Sequence, residues 1–277
     1  MPLRIAALTA LAMLAFAGNS LLCRLALTRT GIDAASFTAI RIVSGAVLLC
    51  LLVRLRGGTT TGSWLSALAL FAYAAGFSFA YLSLPAATGA LLLFGAVQAT
   101  MIGYGLRQGE RLGGSQACGL ALAAAGLVGL LLPGLSAPPL HGALLMLAAG
   151  GAWGIYSLRG RGAGDPVRAT AGNFLRATPF AILLSMILIA DASLDAAGLG
   201  YAVASGALAS GVGYIVWYHA LTGLRSTSAA AVQLSVPALA AVGGVIILGE
   251  PFTLRLLLAT VAILGGVALA IAGRRPT

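Results

Sequence analysis

The stretch from Tyr218 to Thr253, YHALTGLRSTSAAAVQLSVPALAAVGGVIILGEPFT, decides how this chain is organised. It is a long apolar run that contains a proline near its middle and closes on a Gly-Glu pair. An earlier and fainter copy runs from Tyr81 to Gly113, YLSLPAATGALLLFGAVQATMIGYGLRQGERLG. The chain therefore contains a duplicated apolar unit, and the rest of the sequence can be placed around it.

Two short motifs mark the duplication. Gly109-Glu110 matches Gly249-Glu250, and Thr88-Gly89-Ala90 matches Ser228-Ala229-Ala230, both at a spacing of 140 residues. A repeated membrane-embedded unit is typical of transporters, in which two related halves enclose a substrate site.

The composition indicates a membrane protein. Of the 277 residues, 60% are hydrophobic and only 8% are charged, whereas a soluble domain has about 25% charged residues. The sequence predicts an all-α integral membrane protein in which one bundle uses nearly the whole chain.

Ten apolar runs are each long enough for a membrane-spanning helix, which needs about 20 residues. Residues that break helices separate several of them, as at Pro133 and Asp165-Pro166. The predicted spans are 3–25, 34–54, 64–83, 86–107, 114–132, 140–158, 167–190, 197–221, 227–248 and 254–273.

The arginines predict the orientation of these spans. All sixteen basic residues are arginine. With the N-terminus inside, eleven arginines lie in inner segments, three in outer connections and two within spans. Because cytoplasmic segments are enriched in basic residues, this bias places both termini in the cytoplasm.

The duplication then predicts an inverted repeat. Residues 1–135 form the first five-helix repeat and residues 136–277 the second, within one membrane domain. Since five is odd, the two halves sit in the membrane with opposite orientations. In transporters of this architecture the substrate site lies near the membrane midplane between the halves.

Arg41 and Arg176 lie within the second and seventh spans. Because an unpaired charge in hydrocarbon is costly, the first expectation is that each side chain snorkels to the interface. The alternative is a buried strut or a residue that attracts a carboxylate.

Enzyme activity, metal binding and nucleic-acid binding have little support in the sequence. The absence of lysine excludes a Walker lysine and a Schiff-base lysine, and His141 and His219 stand in different halves. The three cysteines, Cys23, Cys50 and Cys118, have no metal-ligand spacing. The sequence thus predicts no enzyme activity, no cofactor and no metal. No basic face for nucleic acid exists either, so the expected partners are a small molecule and membrane lipids.

The candidate cavity residues are polar or aromatic side chains at membrane depth. Such a mixture suits a small organic metabolite, because rings supply apolar area while amides fix orientation. Pro237 is a candidate hinge for alternating access, because a proline inside a helix removes a backbone hydrogen bond. The cavity candidates are Asn19, Phe77, Tyr81, Gln98, Trp153, Tyr214, Trp217 and Gln233.

The pattern resembles the EamA-type drug/metabolite transporters, which have ten short spans in two five-helix repeats. The resemblance covers the whole chain and is better in the second half. The motifs that carry it are Trp153-Gly154, Tyr218-His219-Ala220-Leu221, Ser228-Ala229-Ala230, Pro237 and Leu248-Gly249-Glu250. The first half departs from the family pattern: Ala17 precedes Gly18 where tryptophan is common, and the fourth span has no proline opposite Pro237.

The resemblance implies export by alternating access, from a cavity lined by spans 1, 3, 4, 6, 8 and 9. Within the family, the length and compact loops resemble the YddG-type exporters of aromatic and other neutral amino acids. The leading hypothesis is therefore an exporter of neutral or aromatic amino acids in a bacterial inner membrane. Alternatives are an exporter of other metabolites or drugs, a passive channel and a membrane-embedded enzyme. A channel would need a continuous polar stripe, and an enzyme would need clustered acids, histidines or metal ligands.

Overall fold

The structure, a computed structural model, describes residues 3–109, 113–134, 137–160, 164–221, 223–224 and 232–272. These residues form ten helices and no strand. The helices are α1 (Leu3–Arg29), α2 (Ala34–Leu55), α3 (Trp64–Ala80), α4 (Ala86–Arg107), α5 (Gly114–Leu131), α6 (Leu140–Gly160), α7 (Pro166–Ile187), α8 (Ala196–Leu221), α9 (Ser235–Leu248) and α10 (Leu254–Ala272). A single 3₁₀ turn, Ile189–Asp191, follows α7.

The predicted all-helical fold is confirmed. Six helices, α1, α2, α4, α5, α8 and α10, are long and apolar enough to span a membrane, and α3 and α9 are shorter apolar helices. The chain is a multi-spanning membrane protein. α1 continues four residues beyond the predicted span, to Arg29. Near this end of α1, Arg24 bonds the Glu250 carboxylate and the Tyr81 carbonyl oxygen, and Arg29 bonds the Leu248 carbonyl oxygen.

Acidic residues in the connections start several helices. Asp33, Asp165 and Asp195 each accept hydrogen bonds from backbone N–H groups in the first turn of the following helix. Helix N-termini carry N–H groups without a partner in the helix, so a carboxylate there stabilises the helix by about 1 kcal/mol. The few acids of this chain thus define where α2, α7 and α8 begin.

The helices pack in an alternating, up-and-down arrangement. α1 packs on α8 and α9, and α6 packs on α3 and α4. α2 lies against α7, and α5 lies against α10. We call the end of the bundle where α1 begins and α10 ends the terminal end, and the other the opposite end. The connections that precede α2, α4, α6, α8 and α10 lie at the opposite end, where contacts join them.

Small residues allow the closest of these contacts. A side chain at Gly119 of α5 would collide with the backbone of Gly266 in α10, and one at Gly266 would collide with the backbone of Gly119. In α6, a Cβ at Gly150 would lie 2.5 Å from the Leu93 carbonyl oxygen of α4. Close backbone approach of this kind is how membrane helices gain van der Waals contact.

Two helices contain irregular segments. Residues Ala204–Val212 of α8 and Gly244–Leu248 of α9 form π-helical turns. α9 ends at Gly249, whose φ of 69° is left-handed and favours glycine. Gly109 after α4 is also left-handed, with φ of 88°. Glu110, Ser228-Ala229-Ala230 and Arg225 from the sequence motifs lie outside the described residues.

Candidate functional site

A small cavity lies inside the bundle, between α1, α3, α4, α6 and α8. Its volume is about 20 Å³, which holds about one water molecule. Its walls combine rings with a few polar groups. The lining residues are Phe16, Asn19, Ser20, Tyr73, Phe77, Leu93, Phe94, Trp153, Ala209 and Tyr214.

Trp153 of α6 is the centre of the aromatic wall. Its ring centroid lies 4.8 Å from that of Tyr73 and 5.0 Å from that of Tyr214. Phe16 of α1 meets Trp153 edge-on at 6.5 Å. Such offset and edge contacts are the arrangements that aromatic pairs prefer. The rings therefore link α1, α3, α6 and α8 around the cavity.

A buried polar network runs behind the rings. Arg41 Nη2 of α2 donates to the Tyr73 hydroxyl oxygen at 2.9 Å. The Asn19 side-chain amide donates to the same oxygen at 3.3 Å, and Ser205 Oγ donates to Asn19 Oδ1 at 2.6 Å. The network joins four helices and positions Tyr73 and Asn19 at the cavity wall.

Arg41 is 2% exposed, so the expectation that it snorkels to the interface is wrong. Its guanidinium carbon lies 5.1 Å from the centre of the Tyr73 ring and 4.9 Å from that of Phe77. These rings hold it in the bundle through cation–π attraction. Arg176 behaves differently, because it reaches the carbonyl oxygens of Thr61 and Gly172 at 2.8 and 3.0 Å.

The π-helical turn of α8 serves this network. Ser205 reaches Asn19, and Ser210 lies 3.5 Å from Arg41 Nη2. Residues five apart point about 140° away from each other in a regular α-helix. The wider i→i+5 turn of a π-helix reduces this angle. The irregular turn therefore lets two serines of one helix face the same network.

The predicted site residues divide into two groups. Asn19, Phe77, Trp153 and Tyr214 line the cavity. The other four do not. Trp217 packs on Phe16 with ring centroids 5.9 Å apart, and Tyr81 packs on Phe77 with ring centroids 4.7 Å apart. Gln98 is buried, and its amide nitrogen has no hydrogen-bond partner. Gln233 lies just before α9.

Sequence reasoning missed Tyr73 and Phe16 as lining residues, and it did not place Arg41 beside them. Tyr73 and Phe77 are four apart on α3, the spacing that puts both on one helix face. That spacing identifies a shared face, but only the neighbouring helices show that the face borders a cavity. Ser20, Leu93, Phe94 and Ala209 complete the missed lining.

Pro237, the predicted hinge, is buried in the first turn of α9. The helical path is interrupted at Leu234. This is where the missing N–H of proline and its clash with the residue four positions earlier would weaken a continuous helix. The interruption thus has a local cause, while the hinge function stays a prediction.

An ion pair ties the opposite end of the bundle. Arg24 Nε donates to Glu250 Oε1 at 3.0 Å, and Arg24 Nη1 donates to the Tyr81 carbonyl oxygen at 2.7 Å. Glu250 Oε2 accepts from the backbone N–H of Ala86 at 2.7 Å. The Gly-Glu pair therefore ends α9 and joins it to α1 and α4. We call the Arg24, Glu250 and Ala86 contacts the end latch.

A larger cavity of about 310 Å³ lies between α4, α5, α6 and α10. Its described lining is apolar except for Thr100, whose hydroxyl donates to the Ala96 carbonyl oxygen at 2.8 Å. Ligand sites combine apolar walls with polar groups that fix orientation. The central cavity has such groups, so the smaller cavity is the better candidate.

A bundle of apolar helices around a small aromatic and polar cavity fits a membrane transporter. Comparison with known proteins agrees: residues 140–272 match the EamA-like transporter family. The chain belongs to this family. The match lies in the second half, where the sequence motifs are also clearest.

Relatives and solved structures extend the comparison. Uncharacterized protein PA1977 of Pseudomonas aeruginosa is 61% identical over 270 residues, covering 96% of this chain and 94% of the relative. Threonine/homoserine exporter RhtA of Salmonella typhimurium is 34% identical over 128 residues, covering 45% of this chain and 43% of RhtA. A protein known from a crystal structure shares the fold, with a TM-score of 0.69 and 20% identity, covering 95% of this chain and 98% of the other.

Proposed function

We propose that this protein exports small amphipathic metabolites, namely neutral or aromatic amino acids, by alternating access. The observation that carries the proposal is the central cavity, whose lining combines the polar side chains of Asn19 and Tyr73 with an aromatic wall built around Trp153. Membership of a transporter family supports transport. The partial match to an exporter named for threonine and homoserine supports amino acids as the class.

An inverted repeat is part of this proposal, with residues 1–135 and 136–277 as its halves. Several helix contacts support it. If each helix is exchanged with the helix five places away in the chain, the α3–α6 contact corresponds to the α8–α1 contact. In the same way, the α4–α6 contact corresponds to the α9–α1 contact. All four contacts occur. The α2–α7 and α5–α10 pairs map onto themselves. The left-handed Gly109 and Gly249 follow corresponding helices.

The orientation follows from the arginines. We propose that the terminal end faces the cytoplasm of a bacterium, because eleven of the sixteen arginines belong to segments predicted on that side. The protein would then be a multi-pass protein of the inner membrane, and the end latch would face outward.

Alternating access fits the size of the cavity. A space of about 20 Å³ holds about one water molecule and no amino acid. Substrate would therefore enter only after the walls separate at one end. On the outer side this requires the end latch to break, since Arg24 and Glu250 join helices from both proposed repeats. Pro237 is the proposed hinge at which α9 bends.

Flux through liposomes tests the proposal. The full-length protein is reconstituted, and uptake of radiolabelled neutral and aromatic amino acids is measured with and without a pH gradient. We expect saturable uptake of at least one of them above protein-free liposomes. Absence of flux for every amino acid would overturn the substrate assignment, and a response to the gradient would identify proton coupling.

A further inference from the structure

We infer, on the basis of the proposed function, that the central cavity recognises the carboxylate of its substrate through the Tyr73 hydroxyl and the Asn19 amide. In this arrangement Arg41 supplies the positive charge behind them. Tyr73 and Asn19 are the proposed contact groups, and Arg41 is a positioning residue that acts through Tyr73.

Arg41 is a buried arginine whose charge faces rings and hydroxyl groups. The side chain is 2% exposed, and Nη1 has no hydrogen-bond partner. The one ion pair among the described residues joins Arg24 to Glu250, so no described acid neutralises Arg41. A buried charge is normally paired, because removing it from water is costly. Within the described part of the chain, the bundle core therefore carries a positive charge that no acidic side chain pairs.

The Tyr73 hydroxyl oxygen accepts hydrogen bonds from two neighbouring side chains. A tyrosine oxygen can accept two hydrogen bonds and donate one. Arg41 is a donor only, and it fills one acceptor position at 2.9 Å; Asn19 fills the second at 3.3 Å. The Tyr73 proton is then the remaining hydrogen-bonding capacity of the group, and Tyr73 borders the cavity.

Two hydrogen bonds hold the Asn19 side-chain amide in place. Its oxygen accepts from Ser205 at 2.6 Å, and one of its N–H groups donates to Tyr73. These two contacts fix the orientation of the amide. Its second N–H remains to donate, and Asn19 also borders the cavity.

Together these groups offer hydrogen-bond donors in a positive field. An ionised carboxylate only accepts hydrogen bonds. It would also supply the negative charge that balances the positive charge of Arg41. Charge-assisted hydrogen bonds are about twice as strong as neutral ones. A carboxylate therefore suits this wall better than a neutral amide or an amine, and the aromatic wall around Trp153 is left for the rest of the substrate.

Ligand-induced stabilisation tests the inference separately from transport. The purified full-length protein is heated with phenylalanine, phenylalaninamide, 3-phenylpropionate or phenethylamine, and the dissociation constant is derived from the shift of the melting temperature. We expect the two carboxylates to bind at least about tenfold more tightly than the amide and the amine, as loss of a charged hydrogen bond predicts.

Variants assign the effect to residues. Tyr73→Phe removes only the hydroxyl, and we expect it to reduce the preference for carboxylates about tenfold while amine binding stays unchanged. Arg41→Gln should reduce it similarly, and Arg41→Lys should retain part of it. Arg176→Gln is the matched control, because Arg176 also lies within a predicted span but bonds the carbonyl oxygens of Thr61 and Gly172. It should leave the preference intact.

The outcomes separate the two proposals. Equal binding of acid and amide by the wild type, or an unchanged preference in a folded Tyr73→Phe protein, would overturn the carboxylate inference. Carboxylate binding that depends on Tyr73, without flux of any amino acid in liposomes, would overturn the proposed function and leave this inference standing.

Discussion

Arg24 and Glu250, which stand 226 positions apart in the chain, form an ion pair of 3.0 Å at the opposite end of the bundle. Their side chains are 17% and 13% exposed, so the pair is largely shielded from water. The same glutamate accepts a hydrogen bond from the start of α4. One side chain therefore links elements from both proposed repeats, and its loss should loosen that end.

Glu250→Gln tests the end latch. The change keeps the shape but removes the charge, and it should cost about 1–3 kcal/mol of stability. Cys23, which is buried next to Arg24, should react several times faster with a thiol reagent in a Cys50→Ser, Cys118→Ser background. Asp191→Asn, at the same end but outside the ion pair, is the control. An unchanged rate for Cys23 in the folded Glu250→Gln protein would contradict the latch.

Packing between α5 and α10 gives a second prediction. Gly266→Ala places a methyl group against the backbone of Gly119 and Ala123, whereas the neighbouring Gly265 has open space around it. Overpacking costs about 1–3 kcal/mol, so Gly266→Ala should lower the melting temperature in detergent and Gly265→Ala should change it little. Equal melting temperatures for the two variants would show that this contact can relax.

Asp33 gives a prediction about pH. Burial raises the pKa of the Asp33 carboxyl, but hydrogen bonds from Ser36, Ser193 and Ala35 outweigh burial, and the net pKa is lowered. A lowered pKa contributes stability above the ordinary value of about 4. That stability is lost as the pH falls through the pKa of the folded state.

Asp33→Ala should therefore lose about 1 kcal/mol at neutral pH. Asp33→Asn keeps an oxygen for the helix cap and should lose less. For both variants the difference from the wild type should shrink as the solution is acidified, which pH-dependent unfolding in detergent can measure. A difference that stays constant on acidification would show that the charge of Asp33 is unimportant.

Pro237→Ala tests the hinge. Alanine restores the missing N–H and favours a continuous helix across the interruption at Leu234. If α9 bends there during transport, the rate of uptake should fall several-fold while substrate binding is retained. Pro179→Ala in α7, an exposed proline inside a helix, is the matched control. Unchanged transport by the Pro237→Ala protein would eliminate the hinge.

Much of the fold could be predicted from the sequence, because helix boundaries depend on local signals. Asp33, Asp165 and Asp195 each interrupt an apolar run, and each caps the helix that follows. The π-turn of α8 could not be predicted in this way. Its Ala204–Val212 segment is as apolar and small as its surroundings, and only the contacts of Ser205 and Ser210 with other helices explain it.

The candidate site was less predictable, because a cavity is a property of several helices together. Trp153 and Tyr214 could be named from residue type and depth. Tyr73 could not be selected in this way, since its role depends on Arg41 and Asn19 approaching the same oxygen. Gln98 has the same polar character as Asn19 and lies outside the lining. Residue type alone did not separate the two.

The most direct test of the central claim compares two tryptophans in the liposome uptake assay. Trp153 forms the aromatic wall of the cavity, whereas Trp64 is 60% exposed at the start of α3. We predict that Trp153→Ala reduces uptake of a transported amino acid at least about tenfold, as loss of a buried aromatic contact implies, while Trp64→Ala retains it. Equal uptake by the two folded variants would contradict transport through this cavity.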